Sequence, residues 1–197
     1  GKSVANAKDN GAIWAIAQGQ RAEIGALNAV KQSLDRGVAA VDVALAAGET
    51  VSDLLLQMKE KALAATDESL KTAARAALNE DFVALRDQIA SVTANAEFNG
   101  VNLLETGATG FQALANAQGT STLTVGAEVM ALGSTNVSVA ATQSIASLSD
   151  ATAALADVTA SIDTVSGALA RLGTKSKALS THITFVGKLS DALEAGV

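Results

Sequence analysis

Apolar residues recur along the first third of the chain with a helical period. In steps of seven the positions read Ile13, Gln20, Leu27, Leu34, Val41, Gly48, Leu55 and Ala62, and Ile16, Ile24, Val38, Leu45 and Met58 fill the same face. The spacing predicts one long amphipathic helix over about residues 12–65. Gly19, Gly25, Gly37 and Gly48 each cost it roughly 1 kcal/mol relative to Ala, so packing must compensate or the helix bends there. At about 1.5 Å per residue such a helix is on the order of 75–80 Å long, more than a compact domain of this size needs, and the expected shape is a rod.

Thr66, Asp67 and Glu68 interrupt the period and offer a cap and acids where a second helix would begin. Its apolar line runs Leu70, Ala74, Ala77, Leu78, Phe82, Leu85, Ile89 and Val92 and fades near Asn95, and Asn99-Gly100 then marks a turn. From Gly100 to Gly133 the texture changes to glycines and Ser/Thr clusters with short runs at 111–114, 121–125 and 136–139, the composition of a small β-hairpin region. Leu155, Val158, Ile162, Val165, Leu169, Leu172, Ser176, Leu179, Ile183, Val186, Ser190 and Leu193 then alternate spacings of three and four, a heptad seam. Ser147 with Asp150 three residues on predicts its N-terminal cap.

The expected fold is mainly α: an elongated antiparallel helical bundle or coiled-coil rod of three long helices with a β-hairpin region over about 100–145. It reads as a single domain over 1–197, with N-terminal helices in 1–99, a β-rich excursion in 100–146 and a C-terminal helix in 147–197. Both ends stop in or beside seam-bearing helices, which predicts a trimmed rod.

Composition sharpens this picture. Half of the 197 residues are hydrophobic, enough for a core, but the apolar content is largely Ala with four Phe, one Trp and no Tyr, which favours thin helix-on-helix layers. Pro is absent, which permits long uninterrupted helices. The formal charge is −6, and residues 87–170 contain no Lys or Arg, so no basic stripe exists to release counterions from nucleic acid. No run approaches a membrane span and no signal sequence is visible. With no Cys and one His, thiolate sites and a histidine-rich metal centre drop out, and neither cofactor nor metal is expected.

The candidate chemistry is thin. Gly1-Lys2-Ser3 resembles the end of a phosphate loop but has no earlier Gly or preceding strand. His182 lies between seam positions Leu179 and Ile183 with no nucleophile motif nearby, which makes it a seam-edge histidine rather than a catalyst. Asp67-Glu68 and Glu80-Asp81 sit on outward arcs, where caps and solubility explain them. Lys59-Glu60-Lys61 is a charged outer face that can also serve a partner contact. No enzyme is expected.

Specific residues carry a family resemblance. Ala7-Lys8-Asp9-Asn10 with Ala15-Ile16-Ala17 resembles the opening of the bacterial flagellins, and Glu97-Phe98-Asn99-Gly100-Val101 with Leu103-Leu104 resembles the turn that closes their N-terminal conserved region. Ala168-Leu169-Ala170-Arg171-Leu172 and the seam through Leu193 resemble their C-terminal helix. The resemblance implies a secreted structural subunit that self-assembles into the helical tube of the extracellular flagellum for motility, with other subunits, an export chaperone and cap or junction proteins as partners. It further implies that the terminal polymerisation helices and the large outer variable domains are absent, which would leave this piece monomeric. Where flagellins detected by the vertebrate innate-immune receptor carry Arg-x-Arg-Glu-Leu, this chain has Gln57, Met58, Lys59, Glu60 and Lys61, and the first Arg and the Leu are lost. Such losses weaken an interface by on the order of a few kcal/mol, so poor recognition is expected. The turn residues Phe98, Asn99 and Gly100 are the other positions singled out. Two alternatives stand beside the filament subunit: a hook–filament junction protein, and a helical sensor or ligand-binding bundle, which would need a membrane span or polar pocket.

Overall fold

Asn10 opens the first helix: its Oδ1 accepts the backbone N–H of Ile13 at 3.2 Å, the N-cap bond that satisfies an otherwise orphaned donor. The computed structural model describes residues 10–196. It is mainly α, with α1 (Gly11–Ala65), α2 (Thr72–Ala94) and α3 (Leu148–Gly196). Between α2 and α3 lie four short strands, β1 (Glu97–Phe98), β2 (Val101–Asn102), β3 (Phe111–Leu114) and β4 (Thr122–Val125), paired as β1–β2 and β3–β4.

The boundaries differ from the sequence expectation in instructive ways. Asp67 does not cap α2. Its Oδ1 accepts from the Ser69 N–H and hydroxyl at 2.9 and 2.7 Å, forming a local turn, and α2 starts at Thr72 behind an extended Lys71 that makes no side-chain cap bond. At the end of α1 the Thr66 and Asp67 N–H groups donate to Leu63 O and Ala64 O at 3.1 and 3.3 Å, and Arg75 donates to Ala65 O at 2.9 Å and to Asp67 O in the following turn at 2.8 Å. On α2, Ala74 and Ala77 are exposed while Phe82 and Ile89 are buried. Ala buries too little area to orient a helix against Phe and Ile. The first hairpin begins at Glu97, just past the point near Asn95 where the apolar line of α2 fades, and the run 136–139 is not a strand.

By compactness the chain falls into two units. One comprises Ala40–Phe111 and Gly126–Lys175. Here α3 buries two lines seven residues apart, Val158, Val165 and Leu172 beside Ala154, Ser161 and Ala168. The second line is small because segment 126–145 lies on it. Ser138 N–H donates to Ser161 Oγ at 3.0 Å and Thr164 Oγ1 donates to Asn136 O at 2.6 Å, so side chains of α3 take the place of a strand partner for 136–139. Gly48 of α1 forms a notch in this unit: a Cβ there would lie 2.6 Å from Leu169 Cδ2 and 3.2 Å from Met130 Cε.

The other unit takes the α1 segment up to Ala39, Gln112–Val125 and the α3 segment from Ser176. Leu27, Val30 and Leu34 of α1 and Leu179 and Val186 of α3 form its core. Two bonds fasten the β3 end to the helices: Leu114 N–H donates to Ser33 Oγ at 3.0 Å, and His182 Nε2 donates to Ala115 O at 2.7 Å. Ile13 and Ile16, expected in the seam, are 51% and 64% exposed.

Candidate functional site

Three of the candidate side chains, His182, Asp67 and Asp81, are engaged in the structure. His182 fastens the β3 end and stacks at 5.6 Å on Phe185, Asp67 holds its turn, and Asp81 pairs with Lys61 at 3.3 Å. Glu68 and Glu80 are exposed. Among the described residues no cluster of His, Cys, Asp and Glu is placed to hold a metal ion, and no buried side-chain nitrogen or oxygen lacks a hydrogen-bond partner. No helix among them is long and apolar enough to cross a membrane. Gly1-Lys2-Ser3 and Ala7-Lys8-Asp9 lie outside the described residues.

The sites that remain are surfaces and the turns that shape them. Asn99 and Gly100 form a two-residue hairpin loop with φ of +53° and +82°, and Phe98 pairs with Val101. Two successive positive φ values match a tight reverse turn whose twist suits flanking strands, and Asn-Gly tolerates them best. Buried Asn102 locks the turn to the end of α2. Its Nδ2 donates to Thr93 O at 2.9 Å, and its Oδ1 accepts from Leu104 N–H at 2.8 Å and Glu105 N–H at 3.0 Å. The turn motif is therefore legible in sequence, whereas the role of Asn102 appears only with its partners.

The four α1 residues picked as a partner face do not share one face. Successive residues of a helix are about 100° apart, which turns Lys59 and Lys61 to opposite sides. Lys61 reaches α2 through Asp81, Lys59 is half-buried, and Gln57 and Glu60 are exposed, while Met58 between them is fully buried. What the structure adds is Leu56 and Leu63, seven residues apart and 49% and 58% exposed. Their spacing off the core line was a signal available in the sequence.

A groove of about 380 Å³ opens on the same unit between α3 and the segment after β4, lined by Gly126, Ala170, Leu172, Thr174 and Lys175. At its edge Arg171 grips Glu128 in a two-pronged ion pair, Nε to Oε1 at 2.6 Å and a second guanidinium N–H to Oε2 at 3.0 Å. That partner raises the Arg171 pKa above its ordinary value. Glu128 Oε2 also accepts from Asn136 Nδ2 at 3.3 Å, so the pair ties α3 to two points of the covering segment.

Residues 1–109 match the family model of the bacterial flagellin N-terminal helical region. Over 197 residues the sequence is 50% identical to flagellin FljM of Caulobacter vibrioides and 52% identical to flagellin FljN of the same organism, spanning 71% of the length of each. The fold resembles the Bacillus cereus flagellin crystal structure with a TM-score of 0.69 at 19% identity, over 78% of this chain and 88% of that one. It also resembles a Vibrio parahaemolyticus structure assigned to the flagellar hook-associated proteins, with a TM-score of 0.75 at 14% identity over 96% of this chain and 98% of that one. At such identities the two structural likenesses concern the fold alone.

Proposed function

The chain belongs to the bacterial flagellins and is a structural subunit of the flagellar filament, and from this premise we propose that it works only by contact, without chemistry, as part of a polymer outside the cell. The observation that carries the reading is the match along the whole sequence to Caulobacter vibrioides flagellins, through the helices, the Asn-Gly turn and the final seam alike. The physical pattern supports it. Among the described residues no buried side-chain nitrogen or oxygen is left unpaired, and Asp67, His182 and Arg171 hold turns and segments in place, which fits a protein that meets partners through its surfaces, where many modest contacts repeated on a helical lattice make a stable polymer. Beyond other subunits, the partners this reading calls for are an export chaperone, which keeps the chain from assembling early, and the cap or junction proteins at the filament ends.

The test is complementation. The full-length protein is expressed in a flagellated bacterium that lacks its own flagellins, and cells are scored for swimming and for filaments by electron microscopy. Long extracellular filaments are expected. Bald cells that carry the protein only as a short ring at the hook tip would support the junction reading instead.

A further inference from the structure

Asn-Gly occurs in the chain at Asn10-Gly11 and at Asn99-Gly100. The pair is chemically distinctive, because a glycine has no side chain to shield its backbone nitrogen from the carboxamide of the asparagine before it. The fold treats the two pairs differently. At the start of α1, Asn10 is held twice: its Oδ1 accepts the Ile13 N–H at 3.2 Å and its carbonyl accepts the Trp14 N–H at 2.9 Å. In the first hairpin Asn99 and Gly100 are both exposed, and among the described residues neither the Asn99 carboxamide nor the Gly100 N–H has a hydrogen-bond partner. A Cβ built on Gly100 meets nothing within 4 Å, so the loop has room to flex.

We propose that Asn99-Gly100 is a site of spontaneous covalent modification, where the asparagine converts slowly to aspartate and isoaspartate and so records the age of the molecule in its first hairpin. The step needs only water. The Gly100 nitrogen gives its proton to solvent and attacks Asn99 Cγ; the new N–Cγ bond forms as Cγ–Nδ2 breaks, and Nδ2 takes a proton from water and leaves as ammonia. Water then adds to a carbonyl of the resulting succinimide ring and breaks its bond to nitrogen. Addition at Cγ leaves aspartate, whereas addition at the backbone carbonyl leaves isoaspartate, whose main chain runs through Cγ and is longer by a methylene. Asn99 and Gly100 make the whole hairpin loop, with φ of +53° and +82°, and a lengthened main chain cannot keep that tight turn. The disturbance reaches Asn102, whose carboxamide ties the hairpin to Thr93 O at 2.9 Å and holds the Leu104 N–H at 2.8 Å. Either product also sets a carboxylate near exposed Glu97, a like charge on the same short hairpin. The conversion is a property of the folded chain and does not depend on the filament reading.

Both pairs are followed in one sample, so each chain carries its own control. Folded full-length protein is kept unassembled in mildly alkaline buffer made with heavy-oxygen water. Peptides containing Asn10 and Asn99 are followed by mass spectrometry, with isoaspartate confirmed by enzymatic methylation. Label should enter at Asn99 several-fold faster than at Asn10, whereas in concentrated urea, where cap and hairpin are both lost, the two rates should converge. Conversion at Asn99 no faster than at Asn10 in the folded protein would overturn the proposal, and an undiminished advantage in urea would overturn the part assigned to the fold. Chains enriched in isoaspartate should exchange the Leu104 amide several-fold faster than fresh protein, and unchanged exchange would overturn the loosening of the hairpin. These readings use the unaltered protein, so none can fail by misfolding. As a separate check, Asn99→Gln, whose longer side chain closes a ring far less readily, should abolish label at 99 and leave conversion at Asn10 unchanged; label persisting at 99 would overturn the assigned chemistry.

Discussion

At Gly48 a side chain would have to push its neighbours aside, since the added Cβ would fall 2.6 Å from Leu169 Cδ2 and 3.3 Å from the Met130 sulfur. Gly48→Val should therefore cost about 1–3 kcal/mol by overpacking, read as a lower urea midpoint. Gly25, also inside α1, faces open space, and Gly25→Ala should instead stabilise by up to about 1 kcal/mol through helix propensity. Equal signs for the two would refute the notch. Asp67 makes a pH prediction. Hydrogen bonds from the Ser69 hydroxyl and backbone, aided by the Arg75 charge, hold its carboxyl below the ordinary value of 3.8 although it is exposed. A depressed acid contributes above its unfolded value and loses that contribution as pH falls through the folded one. The Ser69 amide should thus titrate by NMR with a midpoint below 3.8, and a midpoint at or above it would remove the turn bond from the account.

At the scale of elements, periodicity was a sound guide where side chains are large. The seam of α3 appears as a buried line at Val158, Val165, Leu172, Leu179 and Val186, with Leu155, Ile162, Leu169, Ile183 and Leu193 half-buried beside it. Its start is where the cap pattern put it: the Ser147 hydroxyl accepts the Asp150 N–H at 3.1 Å. Ser147→Ala should cost about 1 kcal/mol, measured by thermal unfolding, whereas Ser147→Asp should be nearly neutral because a carboxylate caps as well. Sequence failed where Ala and small polar residues carried the pattern. Ala74 and Ala77 turned outward, and 136–139 took its hydrogen bonds from Ser161 and Thr164 rather than from a strand, a choice no local propensity encodes.

At the scale of the whole molecule, function lies in the surfaces that meet partners. We propose weak recognition by the innate-immune flagellin receptor, because no arginine stands at Gln57 and the leucine position is taken by Lys61, already bound to Asp81 at 3.3 Å. Receptor-dependent signalling in reporter cells should fall on the order of tenfold or more below an agonist flagellin, and a Gln57→Arg, Lys61→Leu double variant should recover part of it. Full signalling by the unaltered protein would refute this reading.

The sequence by itself determined the mainly helical class, the extent of α1 and α3, the Asn-Gly reverse turn and the family. Each rests on signals that are local or repeat at a fixed period: apolar spacing, the lack of Pro, a serine cap and short motifs. Tertiary structure alone decided the rest. It assigned Asn102, Arg75 and Arg171 their partners, closed Gly48 against Leu169 and Met130, laid 136–139 on α3 and left Leu56 and Leu63 uncovered. The physical reason is that burial and hydrogen-bond partners depend on which distant segment arrives at a residue, and spacing along the chain does not record that arrival.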